Sequence, residues 1–112
     1  MTKRTKCSVE EVEARGLAIL RVESLTLEMA DRKEFRRAAR TLLGSSMSRP
    51  VVDLSGVSRL TSVFIGEIVY LAECARTEDK RLSVIAPKHV AELFEMTGTN
   101  EVFSLHIVGE KK

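Results

Sequence analysis

The chain has no tryptophan, one tyrosine and four phenylalanines in 112 residues. That is too few rings for the aromatic platform on which single-stranded nucleic acid stacks. It has two cysteines, Cys7 and Cys74, and two histidines, His89 and His106. They make neither a disulfide framework nor a zinc pattern, and reduced thiols in a cytosolic protein are expected. No Ser/His/Asp set is recognisable. Gly56 and Gly66 lie in no G-x-G-x-x-G or G-K-[ST] pattern, so a phosphate-binding loop is excluded as well. Neither an enzyme nor a metal or cofactor is expected. No apolar run approaches the ~20 residues of a membrane-spanning helix. Met1-Thr2-Lys3-Arg4 leads into no apolar segment, so the expectation is a cytoplasmic protein without a secretory signal.

What is present is ordinary for a globular domain: 44% apolar residues, 30% charged, and a net charge of +2. The length bounds the chain to a single domain, 1–112, with a core over about 9–106. Such a chain buries roughly two-thirds of its unfolded surface and needs no metal or disulfide for a core. Lys3, Arg4, Lys6, Lys111 and Lys112 read as solvated basic tails. A second basic cluster, Arg32, Lys33, Arg36, Arg37 and Arg40, is interleaved with Phe35, Ala38 and Ala39 and reads as the wet side of an amphipathic helix. Glu28, Asp31 and Glu34 dilute it, which argues against a nucleic-acid surface.

Taken in order, Val9–Glu13 and Leu17–Val22 predict two strands joined at Ala14-Arg15-Gly16 as a hairpin. Asp31 with Glu34 resembles a capping box at the start of a helix. Phe35, Ala38, Ala39, Leu42 and Leu43 give that helix its apolar face, and Gly44 suits its C-terminal stop. Pro50–Leu54 is a buried strand, and Ser55–Thr61 a loop. A second helix from Ser62 carries Ile65, Ile68, Val69, Ala72 and Ala75 on its buried side, with Glu67 and Glu73 on the wet side. Leu82–Ala86 is a further strand, and Pro87 opens a third helix with Val90, Leu93, Phe94 and Thr97 inward, ended by Gly98. Val102–Val108 can close the set as a last strand. Strands alternating with helices predict an α/β sandwich, an antiparallel hairpin followed by parallel crossover units.

The chemistry worth attention lies between the third strand and the second helix, where Ser55, Ser58, Thr61 and Ser62 gather. Thr61 or Ser62 can serve simply as the helix N-cap, its oxygen accepting a backbone N–H. Either can instead accept a phosphate. That adds about −1.5 to −2 charges where a helix start tolerates them, and so changes a docking surface without unfolding the domain.

The run Val51-Val52-Asp53-Leu54-Ser55-Gly56-Val57 resembles the strand and loop "V-V-D-L-S-G-V" of the STAS family, the anti-sigma factor antagonists and the cytosolic domains of sulphate transporters. Arg81-Leu82-Ser83-Val84, followed by Glu92-Leu93-Phe94-Glu95-Met96-Thr97-Gly98, is similar to the family's next strand and its "L-x-x-T-G" helix end. The resemblance covers about Val9 to His106. It implies a STAS-like sandwich, a mixed β-sheet of four to five strands with helices packed mainly on one face. It also implies a protein-binding regulator that docks on a serine/threonine kinase anti-sigma factor to release sigma, and whose docking ends when a serine at the start of the second helix is phosphorylated. The family's usual motif there is Asp-Ser-Ser-Gly, the second serine being modified. The matching positions here are Thr61, Ser62, Val63 and Phe64, so valine stands at the usual acceptor. Ser62 is the first phosphorylation candidate and Thr61 the second. Ser58, Val63, Phe64 and Glu67 are the partner-docking candidates, Phe64 as an apolar anchor at the helix start. The alternative the resemblance implies is a structural subunit, never phosphorylated, of a stressosome-type assembly or a lipid-transport ABC complex.

Overall fold

The computed structural model describes residues 5–109. Lys3, Arg4, Lys111 and Lys112, expected as basic tails, lie outside the described residues. The first alternating runs form strands β1 (Lys6–Val12) and β2 (Leu17–Glu23), paired antiparallel with Cys7 opposite Val22 and Val9 opposite Leu20. β1 starts at Lys6 rather than Val9 because Cys7 is buried and acts as one more inward apolar residue. The connection is a 3₁₀ turn, Glu13–Arg15, closed by Gly16 at φ 67° and ψ 28°. This is left-handed backbone that glycine adopts without a Cβ penalty.

A two-residue strand β3 (Thr26–Leu27) leads into a 3₁₀ turn and helix α1 (Arg32–Leu43). The capping box forms one turn earlier than expected. Glu28 and Asp31 cap each other reciprocally, the Glu28 N–H donating to Asp31 Oδ2 at 2.8 Å. Glu34 is drawn away to β1, where it accepts the Cys7 N–H at 3.1 Å, and it pairs with Arg37. Gly44 ends α1 in right-handed backbone (φ −79°) rather than as a left-handed cap.

Strand β4 (Arg49–Asp53), a second two-residue strand β5 (Arg59–Leu60), and helix α2 (Ser62–Arg76) follow. The chain closes with β6 (Ser83–Ala86), α3 (Lys88–Met96) and β7 (Ser104–Ile107). The main sheet runs β1-β2-β4-β6-β7, and every pairing after the hairpin is parallel. β3 and β5 pair parallel as a separate ribbon that no periodicity foretold. The crossovers through α1, α2 and α3 each step the same way across the sheet. Right-handed crossovers of one direction place their helices on one face. The strand residues confirm it: Ala18, Leu20, Val22, Val52, Val84 and Ala86 are buried beneath the helices, whereas Ile19 and Ile85 are only half-buried and Arg21 is exposed.

The core between sheet and helices holds two edge-to-face ring pairs. Phe35 meets Phe64 at 5.4 Å between centroids, and Phe94 meets Phe103 at 5.2 Å. The buried side of α2 is Phe64, Ile68, Leu71, Ala72 and Ala75. Ile65 and Val69, expected inside, flank that side half-buried, because the larger Phe64 and Leu71 occupy the line facing α1 and the sheet. On α3, Val90, Ala91 and Phe94 are buried. Thr97, expected inward, is exposed, and its hydroxyl donates to the Leu93 carbonyl at 2.9 Å at the helix end. Gly98 then turns the chain at φ 73°.

Candidate functional site at the start of α2

The loop from β4 to α2 is fixed by its backbone. Asp53 Oδ1 accepts the Ser55 N–H at 2.9 Å, the local turn an Asx residue favours. The N–H groups of Ser58 and Arg59 both donate to the Leu25 carbonyl, at 2.7 and 3.1 Å, and that of Thr61 donates to the Leu27 carbonyl at 3.1 Å. From α3, the His89 ring bonds the Ser58 carbonyl at 2.6 Å through Nε2, which carries the proton because a carbonyl can only accept. Three separate parts of the chain thus hold the loop in place.

Thr61 occupies the N-cap position in extended backbone (φ −80°, ψ 162°) and makes no side-chain capping bond. Its carbonyl accepts the Phe64 N–H at 2.9 Å and the Ile65 N–H at 3.3 Å. The capping role expected of a hydroxyl here is therefore not filled by Thr61. Thr61 and Ser62 are both exposed, as is Ser58, and Val63 is half-buried. The first-turn N–H groups of α2 point toward this end, and they favour negative charge.

Two of the expected docking residues are placed differently. Phe64 is 0% exposed and packs on Phe35, so its ring is a core element and not an anchor for a partner. Glu67, expected on the wet side of α2, has a side chain only 10% exposed. Arg36 of α1 clasps it through two bonds of 2.9 and 2.7 Å, with Arg32 at 4.0 Å. Glu67 ties α1 to α2 and is not presented at the helix start. Ser58, Thr61, Ser62 and the edge of Val63 remain together at the surface.

Sequence reasoning passed over Leu25 and Met29, which are 70% and 60% exposed. Leu25 is held beside Ser58 and Arg59 by the backbone bonds to its carbonyl. A groove of about 220 Å³, lined by Thr26, Leu27, Glu28, Arg59, Leu60 and Thr61, lies along the β3–β5 ribbon at the same end. The pattern hides them: at extended spacing Leu25, Leu27 and Met29 share one face, which turns all three inward, whereas only Leu27 is buried. Among the described residues no group of three or more His, Cys, Asp or Glu could hold a metal ion, and no helix is long and apolar enough to cross a membrane.

A five-stranded mixed sheet with helices on one face, and a backbone-pinned loop presenting hydroxyls at the start of the second helix, defines a STAS-type domain. The chain belongs to the STAS domain family: the family model described as "Mlab, STAS domain" matches residues 19–108. The structure is similar to the crystal structure of an anti-sigma factor antagonist from Mycobacterium paratuberculosis, with a TM-score of 0.80, 22% identity, and coverage of 92% of this chain and 86% of that one. It is also similar to the anti-sigma factor antagonist SpoIIAA in its unphosphorylated form, with a TM-score of 0.70, 13% identity, and coverage of 91% and 89%. At these identities the likeness is one of fold. No curated protein sequence matches this chain significantly.

Proposed function

We propose that this domain is a cytoplasmic protein-binding regulator of the anti-sigma factor antagonist kind. It docks on an anti-sigma factor, a serine/threonine kinase, through the start of α2, and phosphorylation of Ser62, or secondarily Thr61, ends the docking. The observation that carries the reading is the pair of exposed hydroxyls on Thr61 and Ser62, with Thr61 making no capping bond, at the head of a 15-residue helix. The exposed Leu25 and Met29, at the end of the molecule the loop bonds define, supply the apolar contact a docking surface needs. A phosphate on Ser62 meets the N–H groups of the first helical turn, an interaction that stabilises by about 0.3–1 kcal/mol at an exposed site. The fold therefore accepts the charge while the partner meets a changed surface.

The test is incubation with the anti-sigma kinases of the host and ATP, modified residues being mapped by mass spectrometry, with calorimetric titration of the same partners. Modification at Ser62 or Thr61, with binding lost in Ser62→Asp or Thr61→Glu variants of native circular dichroism, supports the switch. Binding that survives both variants in an unmodified protein removes the switch and leaves a docking module. Absence of binding to any anti-sigma factor overturns the reading.

Val63 at the family's usual acceptor position favours a second reading, a structural STAS subunit of a stressosome-type assembly or of a lipid-transport ABC complex. That reading predicts a complex whose stoichiometry ignores ATP.

A further inference from the structure

Away from the start of α2, the helical layer carries two surfaces of opposite charge. One is a groove of about 410 Å³ between α1 and α2 with an apolar floor of Phe35, Ala39, Leu43 and Leu71. On its rim Arg36 is engaged by Glu67, whereas Arg40 forms no ion pair with any described residue, and neither does Lys33, two turns earlier on α1 and just outside the groove. The other surface is the outer side of α3. Glu92 and Glu95 are exposed and pair with no described cation, and Met96, one turn beyond Glu92, is 81% exposed. An apolar groove edged by unmatched positive charge and an exposed methionine edged by unmatched negative charge are complementary, yet they sit apart on one molecule.

The order of the helices says how they can meet. Each crossover advances one way across the sheet, so the layer runs α1, α2, α3, with the groove toward one side and α3 at the other. A two-fold axis between groove and α3 lays the α3 of each copy on the groove of the other. Every contact then occurs twice and the assembly closes. We propose that two copies of this chain associate face to face through their helical layers, Met96 of each entering the α1–α2 groove of the other, with Glu92 and Glu95 opposite Lys33 and Arg40. The occupant is a second copy because the same chain supplies the matching charge and the matching apolar side chain.

Sedimentation equilibrium from low micromolar to sub-millimolar protein tests this, with Tyr70 fluorescence as a second reading. Tyr70 is the sole tyrosine, in a chain without tryptophan, and lines the groove. The expected result is a reversible dimer, weakened roughly tenfold or more when salt is raised to about 1 M, where the Debye length falls to about 3 Å. Tyr70 emission should change over the same concentration range. Arg40→Glu and Glu92→Arg should each weaken self-association roughly tenfold or more. Mixed in equal amounts, the two variants should recover it, because one contact then joins the introduced carboxylate to the introduced guanidinium while the other keeps both native partners. A wild-type monomer at every concentration overturns the proposal. So does a dimer that both variants leave intact, or a mixture that stays monomeric.

Discussion

Replacing Phe64 by alanine separates the two roles a large apolar residue can have at a helix start. Phe64 is 0% exposed, and its ring meets Phe35 edge to face, centroids 5.4 Å apart and planes at 78°. Phe→Ala substitutions in cores cost about 3–5 kcal/mol through lost burial and the cavity left behind. The lost ring pair accounts for about 0.5–1.5 kcal/mol of that. Alanine's better helix propensity offsets at most about 0.7 kcal/mol. A net loss of about 3–4 kcal/mol is a large share of the roughly 5–15 kcal/mol that holds such a domain together, and should lower Tm by on the order of 15 °C. Urea unfolding followed by circular dichroism measures it, and the m-value should stay at its wild-type level so that the shift in midpoint reads as stability. Phe64→Leu, which keeps most of the apolar volume, should lose clearly less. A Phe64→Ala protein that loses under about 1 kcal/mol yet no longer binds its partner would refute the packing argument, because the ring would then be a docking anchor after all.

Three further outcomes follow from the same structure. A thiol reagent at neutral pH should modify Cys74 and spare Cys7 until the protein unfolds, as read by mass spectrometry. Burial, with the Glu34 carboxylate adding to it, pushes the Cys7 thiol up to about 12, and Cys7 is 4% exposed. The Arg37 guanidinium, helped by the Cys7 N–H, holds the Glu34 carboxyl down at about 2 against its ordinary 4.5. A depressed carboxyl contributes stability above its unfolded value and loses it as pH falls from 4.5 toward 2. Because the pair is part-exposed, solvent screens it and the effect on stability is small. Urea midpoints should accordingly fall less steeply with acid in Glu34→Gln than in the wild type. Gly16→Ala forces a Cβ into left-handed backbone at φ 67° and should cost about 1–2 kcal/mol by the same unfolding assay.

Most of the fold was legible because long periodic segments carry their own signal. The alternation of Ala18, Leu20 and Val22, the apolar run at Val51 and Val52, and the start of α2 at Ser62 all appear where the pattern put them. The β3–β5 ribbon was not legible, since two residues per strand hold no period and the pairing arises from the loop's bonds to Leu25 and Leu27. The capping box shifted because acidic residues stand at 28, 31 and 34, each fit to cap, and only the approach of β1 decides that Glu34 bonds Cys7. At the site, the reading of α2 began its apolar face at Ile65 and so turned Phe64 outward. Starting from Phe64, the spacing to Ile68, Leu71, Ala72 and Ala75 gives the buried side directly. Glu67 was misjudged for a different reason: its partner Arg36 lies on another helix, and no local pattern reports that.

The placement of residues 61–64 also bears on the proposed switch. An α-helix advances about 100° per residue, so the chain swings from solvent into the core within its first turn. Thr61 and Ser62 are exposed, Val63 is half-buried and Phe64 is fully buried. A phosphate on Ser62 stays in water at the head of the helix, where its charge stabilises the helix. Position 64 has no room for charge, since Phe64 closes the α1–α2 contact on Phe35. If Ser62 is the acceptor, modification should therefore leave Tm unchanged or slightly raised, and any loss of binding must arise at the surface shared with Ser58, Leu25 and Met29. A phosphorylated form that melts well below the unmodified one would mean that the charge reaches the core, and the surface account of the switch would fail.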